Sequence, residues 1–182
     1  YTLIVPIAAD TDKMGTEMPY LFGLDSNGLM YCVKSIMGLP LEAFSDIYFT
    51  ILHKHNLRYK LLEMMQIQFE RLGIAHKTHV YELWESTSSQ PETLYHTVVG
   101  NHITGAVLFK DGDSYFTTEV YPENMLYIFP LDGLQVVNPQ NKSYVTIDEQ
   151  YYITNIIEKK IVSRFFCAGG YSIEAVSYTH LT

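Results

Sequence analysis

Cations are scarce in this chain. Its 182 residues hold 12 Lys and Arg against 20 Asp and Glu, a formal charge of −8. Nucleic acids and anionic membranes are bound by clustered basic side chains, so neither is an expected partner. Cysteine is nearly absent: Cys32 and Cys167 stand far apart with no C-x-x-C spacing, which fits two core thiols in a reducing compartment better than a disulfide framework. No G-x-G-x-x-G and no G-x-x-x-x-G-K-[ST] occurs, which removes the common dinucleotide and P-loop fingerprints. Long apolar runs are missing too. Leu3 to Ala9 is too short to span a bilayer and has no basic flank, so the expected location is the cytoplasm. No internal repeat or low-complexity segment is present. The chain opens on Tyr1 rather than Met, and Val176 to Thr182 resembles the translated adapter found at the ends of some metagenomic reading frames. Residues 177–182 are therefore expected to be a non-native tail.

What remains is rich in apolar residues, 47% of the total, enough for one domain with a sizeable core. Its focus is Ala106 to Phe116, A-V-L-F-K-D-G-D-S-Y-F, a short apolar run ending in two aspartates one residue apart. The run reads as a buried strand, which places Asp111 and Asp113 where the strand leaves the sheet. Ligands of open α/β sheets bind at such strand ends. Two carboxylates flanking Gly112 can turn toward one hard cation, Mg²⁺ or Mn²⁺. The same Asp-Gly-Asp is also ordinary turn chemistry, and both readings stand.

In chain order, Thr2 to Ile7 reads as a strand feeding the small, polar loop Ala8 to Lys13, a candidate wall of a nucleotide pocket. Asp25 to Gly28 is a turn, and Leu29 to Met37 is a short helix closed by Gly38 and Pro40. Asp46 to Leu52 is a strand. His53-Lys54-His55 after it reads as a surface loop, or as part of a transition-metal site that lacks an evident third ligand. Leu57 to Leu72 has the clearest helical period, with Leu61, Met65, Phe69 and Leu72 on one face and Gly73 at its end. A strand over Thr78 to Leu83 leads through a polar loop to a helix start, with Ser89 as N-cap, Pro91 in the first turn and Glu92 completing a capping box. Gln90, at the mouth of the same sheet, is placed to read a nucleobase edge. These elements make a mostly parallel, doubly wound half, residues 1–116. After Phe116 strand-like segments dominate, at Leu126 to Leu131, Leu134 to Asn138, Ser143 to Ile147, Ile153 to Glu158 and Phe165 to Ile173, a meander or mixed-sheet half over residues 117–176.

Ile156-Ile157-Glu158-Lys159 followed by Ala168-Gly169-Gly170-Tyr171 resembles the E-K and A-G-x-Y motifs of sugar-phosphate nucleotidyltransferases. Asp111-Gly112-Asp113 is similar to their metal-binding aspartate region, and Val5 to Ala9 to their first strand and nucleotide loop. The set runs in the family's order and looks closest to the branch assigned to bacterial capsular polysaccharide biosynthesis. The resemblance implies a three-layer α/β/α, glycosyltransferase-A-like fold that joins an NTP to a sugar 1-phosphate, giving NDP-sugar and pyrophosphate. It further implies Mg²⁺ on Asp111 and Asp113, Lys13 against the triphosphate, and Ala8, Ala9 and Gln90 around the base. Glu158 would meet the sugar hydroxyls, Lys159 the sugar phosphate, and Gly169 and Gly170 would let the sugar approach the backbone. The family's glycine-rich first loop is here Ala9-Asp10-Thr11-Asp12, which adds two negative charges where phosphates would lie; its proline-lysine pair reads Pro19-Tyr20 and so lacks that cation; and its distal metal aspartate would fall beyond the point where this chain stops. A binding module that has lost catalysis and a glycosyltransferase of the same fold are the alternatives; homo-oligomerisation is left open.

Overall fold

The computed structural model describes residues 1–10, 20–132 and 139–177. The chain divides into two compact units, Tyr1–Asn124 with Ser172–Thr182, and Met125–Tyr171.

In the first unit, strands β1 (Thr2–Pro6), β2 (Asp46–Leu52), β3 (Thr78–Leu83) and β4 (Thr104–Lys110) form a parallel sheet in the order β3-β2-β1-β4. The expected strands are thus in place; β1 and β2 at the centre are buried along most of their length, as parallel strands covered on both faces are. Ile4 and Val107, on one face, pack with Val98 of helix α4 (Gln90–Gly100). On the other face Phe49 stacks on Phe69 of helix α3 (Leu61–Arg71), ring centroids 5.3 Å apart. Helices therefore cover both faces and the unit has three layers. The last residues of strand β8 (Phe165–Ser177) belong to this unit: Val176 joins the Ile4–Val107 cluster, and Ser172 Oγ lies 2.6 Å from the Tyr1 hydroxyl. The strand is longer than the segment anticipated up to Ile173, and it reaches the first residue of the suspected tail; 178–182 lie outside the described residues.

Two expectations about helices need correction. Helix α1 is only Tyr31–Lys34, shorter than Leu29 to Met37. The helix anticipated over Leu57 to Leu72 is two, α2 (His53–Tyr59) and α3, broken at Lys60, whose φ of 54° and ψ of 47° are left-handed. The break changes the helical phase. Leu57 and Leu61 would share a face in one continuous helix, yet Leu57 is 69% exposed and Leu61 1%. Asn56 Oδ1 accepts the Leu62 N–H, satisfying a donor the break would orphan. The same rearrangement puts His53-Lys54-His55 at a helix start rather than in a surface loop, and His55 is buried.

In the second unit β5 (Met125–Pro130) pairs with β8, and β8 pairs antiparallel with β6 (Ser143–Ile147), which in turn pairs antiparallel with β7 (Ile153–Glu158). The β6–β7 turn is held by Asp148, whose Oδ1 accepts the N–H groups of Gln150 and Tyr152, each at 2.9 Å. The strand anticipated at Leu134 to Asn138 falls outside the described residues. No helix among the described residues is long and apolar enough to cross a membrane.

Candidate nucleotide and metal site

The sheet order fixes where a ligand can sit. From β1 the chain steps outward through β2 and β3, then returns to add β4 on the other side of β1. The loops leaving β1 and β4 consequently diverge and leave a crevice at the carboxyl edge, the switch point at which open α/β sheets bind ligands. A cleft of about 380 Å³ occupies that place. Its walls are Pro6 to Ala9 after β1, Thr87 to Gln90 and Thr93 at the start of α4, and Asp111 to Asp113 after β4. A second cleft, about 270 Å³, shares Leu21, Gly112 and Asp113 with it and adds Tyr31, Lys34 and Tyr115.

The α4 wall is built by the anticipated cap, with one residue of difference. Ser89 Oγ accepts the Glu92 N–H at 3.4 Å, but the Glu92 carboxylate reaches back to Ser88, accepting from its N–H at 2.9 Å and from its hydroxyl, rather than to Ser89. Those two bonds hold the Glu92 carboxyl below its ordinary range. Thr87 and Thr93 hydroxyls, 2.6 Å apart, tie the loop to the first helical turn. Gln90 follows the cap and lines the cleft, its Nε2 donating to Asp111 Oδ1 at 2.6 Å. A base edge meeting Gln90 in this arrangement finds its amide nitrogen already engaged.

Asp111 is half-buried and Asp113 exposed. Burial first, and the neighbouring Asp113 charge after the opposing Gln90 bond, push the Asp111 carboxyl above its usual range. Beneath them, Lys110 ends β4 with a fully buried side chain. Its Nζ donates to the Asp111 carbonyl at 2.6 Å, to the Ser114 carbonyl, and to Ser114 Oγ at 3.0 Å, and lies 5.0 Å from the Phe116 ring centroid. Burial lowers the Lys110 amine to about 8, while both aspartates pull the other way. Gly112 is required by close approach: a Cβ there would sit 2.4 Å from Ile7 Cγ2.

Of the expected site residues, the structure gathers Ala8, Ala9, Gln90, Asp111 and Asp113 around one cleft. Lys13 lies outside the described residues, as does Pro19. Asp10, anticipated as an added negative charge, is paired with Lys54 at 2.6 Å. Glu158, Lys159, Gly169 and Gly170 belong to the second unit. Glu158 and Lys159 are exposed at the end of β7, 3.9 Å apart. Gly169 and Gly170 are buried within β8, and Gly169 has φ 97°. No group of three or more His, Cys, Asp or Glu side chains that could hold a metal occurs among the described residues. Lys110 escaped sequence reasoning, although a lysine at the last position of an otherwise apolar buried strand is itself a signal.

No protein-family profile matches the chain, and no curated protein does either. Solved structures do. A nucleoside-diphosphate-sugar pyrophosphorylase from Vibrio cholerae RC9 superposes with a TM-score of 0.71 over 96% of this chain and 73% of its own, at 17% identity. The fold is that of the nucleotide-diphospho-sugar transferases. Two further structures share this glycosyltransferase-A-like fold. The inositol-1-phosphate CTP transferase from T. maritima has a TM-score of 0.67 over 95% of this chain and 70% of its own at 13% identity. A UDP-glucose pyrophosphorylase complexed with UDP-glucose has 0.65 over 95% and 75% at 10% identity. At such identities the likeness shows the fold alone.

Proposed function

We propose that this chain is a nucleotidyltransferase of bacterial surface-polysaccharide biosynthesis, acting in the cytoplasm to join an NTP to a sugar 1-phosphate and release pyrophosphate. One observation carries the reading: the carboxylate pair after β4 shares the switch-point cleft with the β1 loop and the α4 start. The three similar structures are two pyrophosphorylases of nucleotide sugars and a CTP transferase, which supports the proposal.

Asp111 and Asp113 suit a hard divalent cation. Both offer only oxygen, Asp113 is open to solvent, and the Asp111 carboxyl is raised by burial and by its neighbour's charge, the strain a shared cation relieves. When bound, Mg²⁺ would neutralise charge on the α-phosphate during transfer. In that reaction an oxygen of the sugar 1-phosphate attacks the α-phosphorus while the bond to the β-phosphate oxygen breaks and pyrophosphate departs. The protein's part is positioning. Ala8 and Ala9 would give a flat, small-residue wall to the base, and the Thr87 to Gln90 backbone with the α4 N-terminus a polar one. Lys13 would meet the triphosphate, Glu158 the sugar hydroxyls and Lys159 the sugar phosphate, while Gly169 and Gly170 would let the sugar approach the backbone.

A binding module without catalysis is favoured by one feature: none of the described residues lining the cleft is Lys or Arg. Pyrophosphate release from each NTP with a panel of sugar 1-phosphates separates the two. Release that falls at least 100-fold in Asp113→Asn supports the enzyme; release retained in that variant would sink the metal assignment.

A further inference from the structure

The geometry points to Lys110 as the positioning residue of the aspartate pair, its ammonium tying the Asp111–Ser114 turn into one shape before any ligand arrives. The inference rests on the proposed function for the cation it mentions, but its structural half does not.

An ammonium carries three donors, and here all three find acceptors within one four-residue turn: the carbonyls of Asp111 and Ser114 and the Ser114 hydroxyl. A lysine side chain with no exposed surface is expensive to keep, because a buried charge must be hydrogen-bonded. A leucine or methionine would fill the space above Phe116 at no such cost. It would also leave two carbonyls of an irregular turn without these donors, where no sheet ladder supplies others. The turn so closed carries Asp111 at its first position and Asp113 at its third. Two carboxylates this close repel each other and would drift apart if the backbone between them were free. Gln90 fixes one oxygen of Asp111, and Ile7 abuts Gly112. Lys110 adds a restraint on the backbone itself, through the Asp111 and Ser114 carbonyls. Cation binding then does not have to order the turn, which lowers its cost.

The charge and the positioning roles predict opposite signs. Were Lys110 only a nearby positive charge, its removal would tighten a cation on the aspartates. Positioning predicts the reverse. Two measurements decide: hydrogen exchange of the Asp111–Tyr115 amides without any metal, and Mn²⁺ affinity by electron spin resonance. For Lys110→Met, exchange of those amides should accelerate at least tenfold while β1 and β2 stay protected, and Mn²⁺ should bind at least tenfold more weakly. Lys110→Gln, which keeps two donors on a shorter stem, should fall between, and serves if Lys110→Met does not fold. Unchanged exchange, or Mn²⁺ binding that is unchanged or tighter, would overturn the assignment. Should the parent chain bind no Mn²⁺, the metal of the proposed function fails, while the exchange comparison still decides the role of Lys110.

Discussion

Adding one methyl group at Gly112 should disturb the site without removing any polar atom from it. An alanine Cβ would lie 2.4 Å from Ile7 Cγ2, about 1 Å inside ordinary carbon–carbon contact. Neither side yields easily. Ile7 is buried, its branch at Cβ restricts rotation, and its N–H is bonded to the Thr50 carbonyl at 2.9 Å. Gly112 does not have a positive φ, so the penalty is steric and not conformational. The aspartate turn must retreat from β1 by about 1 Å, an overpacking cost of about 1–3 kcal/mol. A displacement of that size at a reacting centre costs on the order of 100-fold in rate. Urea unfolding of Gly112→Ala, Ile7→Ala and the double variant measures the contact. Ile7→Ala removes Cγ2, so the double variant should recover about 1–2 kcal/mol relative to additivity. The reasoning is refuted if Gly112→Ala unfolds within about 0.3 kcal/mol of the parent and its nucleotide-induced stabilisation is unaltered.

Cys32 is buried in α1, and desolvation pushes its thiol from 9.0 up to about 12. At pH 8 its thiolate fraction, and hence its alkylation by iodoacetamide, should be roughly 1,000-fold below that of an ordinary thiol. Its pKa is higher folded than unfolded, so the folded chain holds the proton more tightly, and stability is lost as pH rises from 9 toward 12. Cys32→Ala should therefore lose about 1–2 kcal/mol less than the parent between pH 8.5 and 10.5; equal slopes would contradict the burial argument. Ser89→Ala removes the α4 cap and should cost about 1 kcal/mol in urea unfolding, with a weaker nucleotide-induced shift because that wall frays. An unchanged midpoint would show that Glu92 and Ser88 cap the helix alone.

Much of the first unit was legible because its signals are local. The segments read as strands at Asp46 to Leu52 and Thr78 to Leu83 coincide with β2 and β3 residue for residue, and Ser89 with Pro91 marked the α4 start. Asp111 and Asp113 could be placed at a strand end from the run before them. What escaped depends on single residues in unusual states or on distant partners. One left-handed residue, Lys60, breaks a helix that periodicity alone continues. The bond between Gln90 and Asp111 joins residues 21 positions apart. Lys110 went unremarked because its acceptors belong to a turn whose shape no pattern reports. Asp10 looked like an unwelcome charge because Lys54, 44 residues on, was not visible beside it.

The central claim is that the switch-point cleft binds a nucleotide through a cation held by Asp111 and Asp113. Thermal unfolding of the parent and of Asp113→Asn with ATP, GTP, CTP, UTP and dTTP, each with and without Mg²⁺, tests it most directly. A ligand at one hundred times its dissociation constant stabilises by about 2.7 kcal/mol, which raises the midpoint of a chain this size by roughly 5–10 °C. The account predicts such a rise for at least one NTP, dependent on Mg²⁺ and lost in Asp113→Asn. No rise with any NTP, or a rise that survives both Mg²⁺ removal and the substitution, would contradict it.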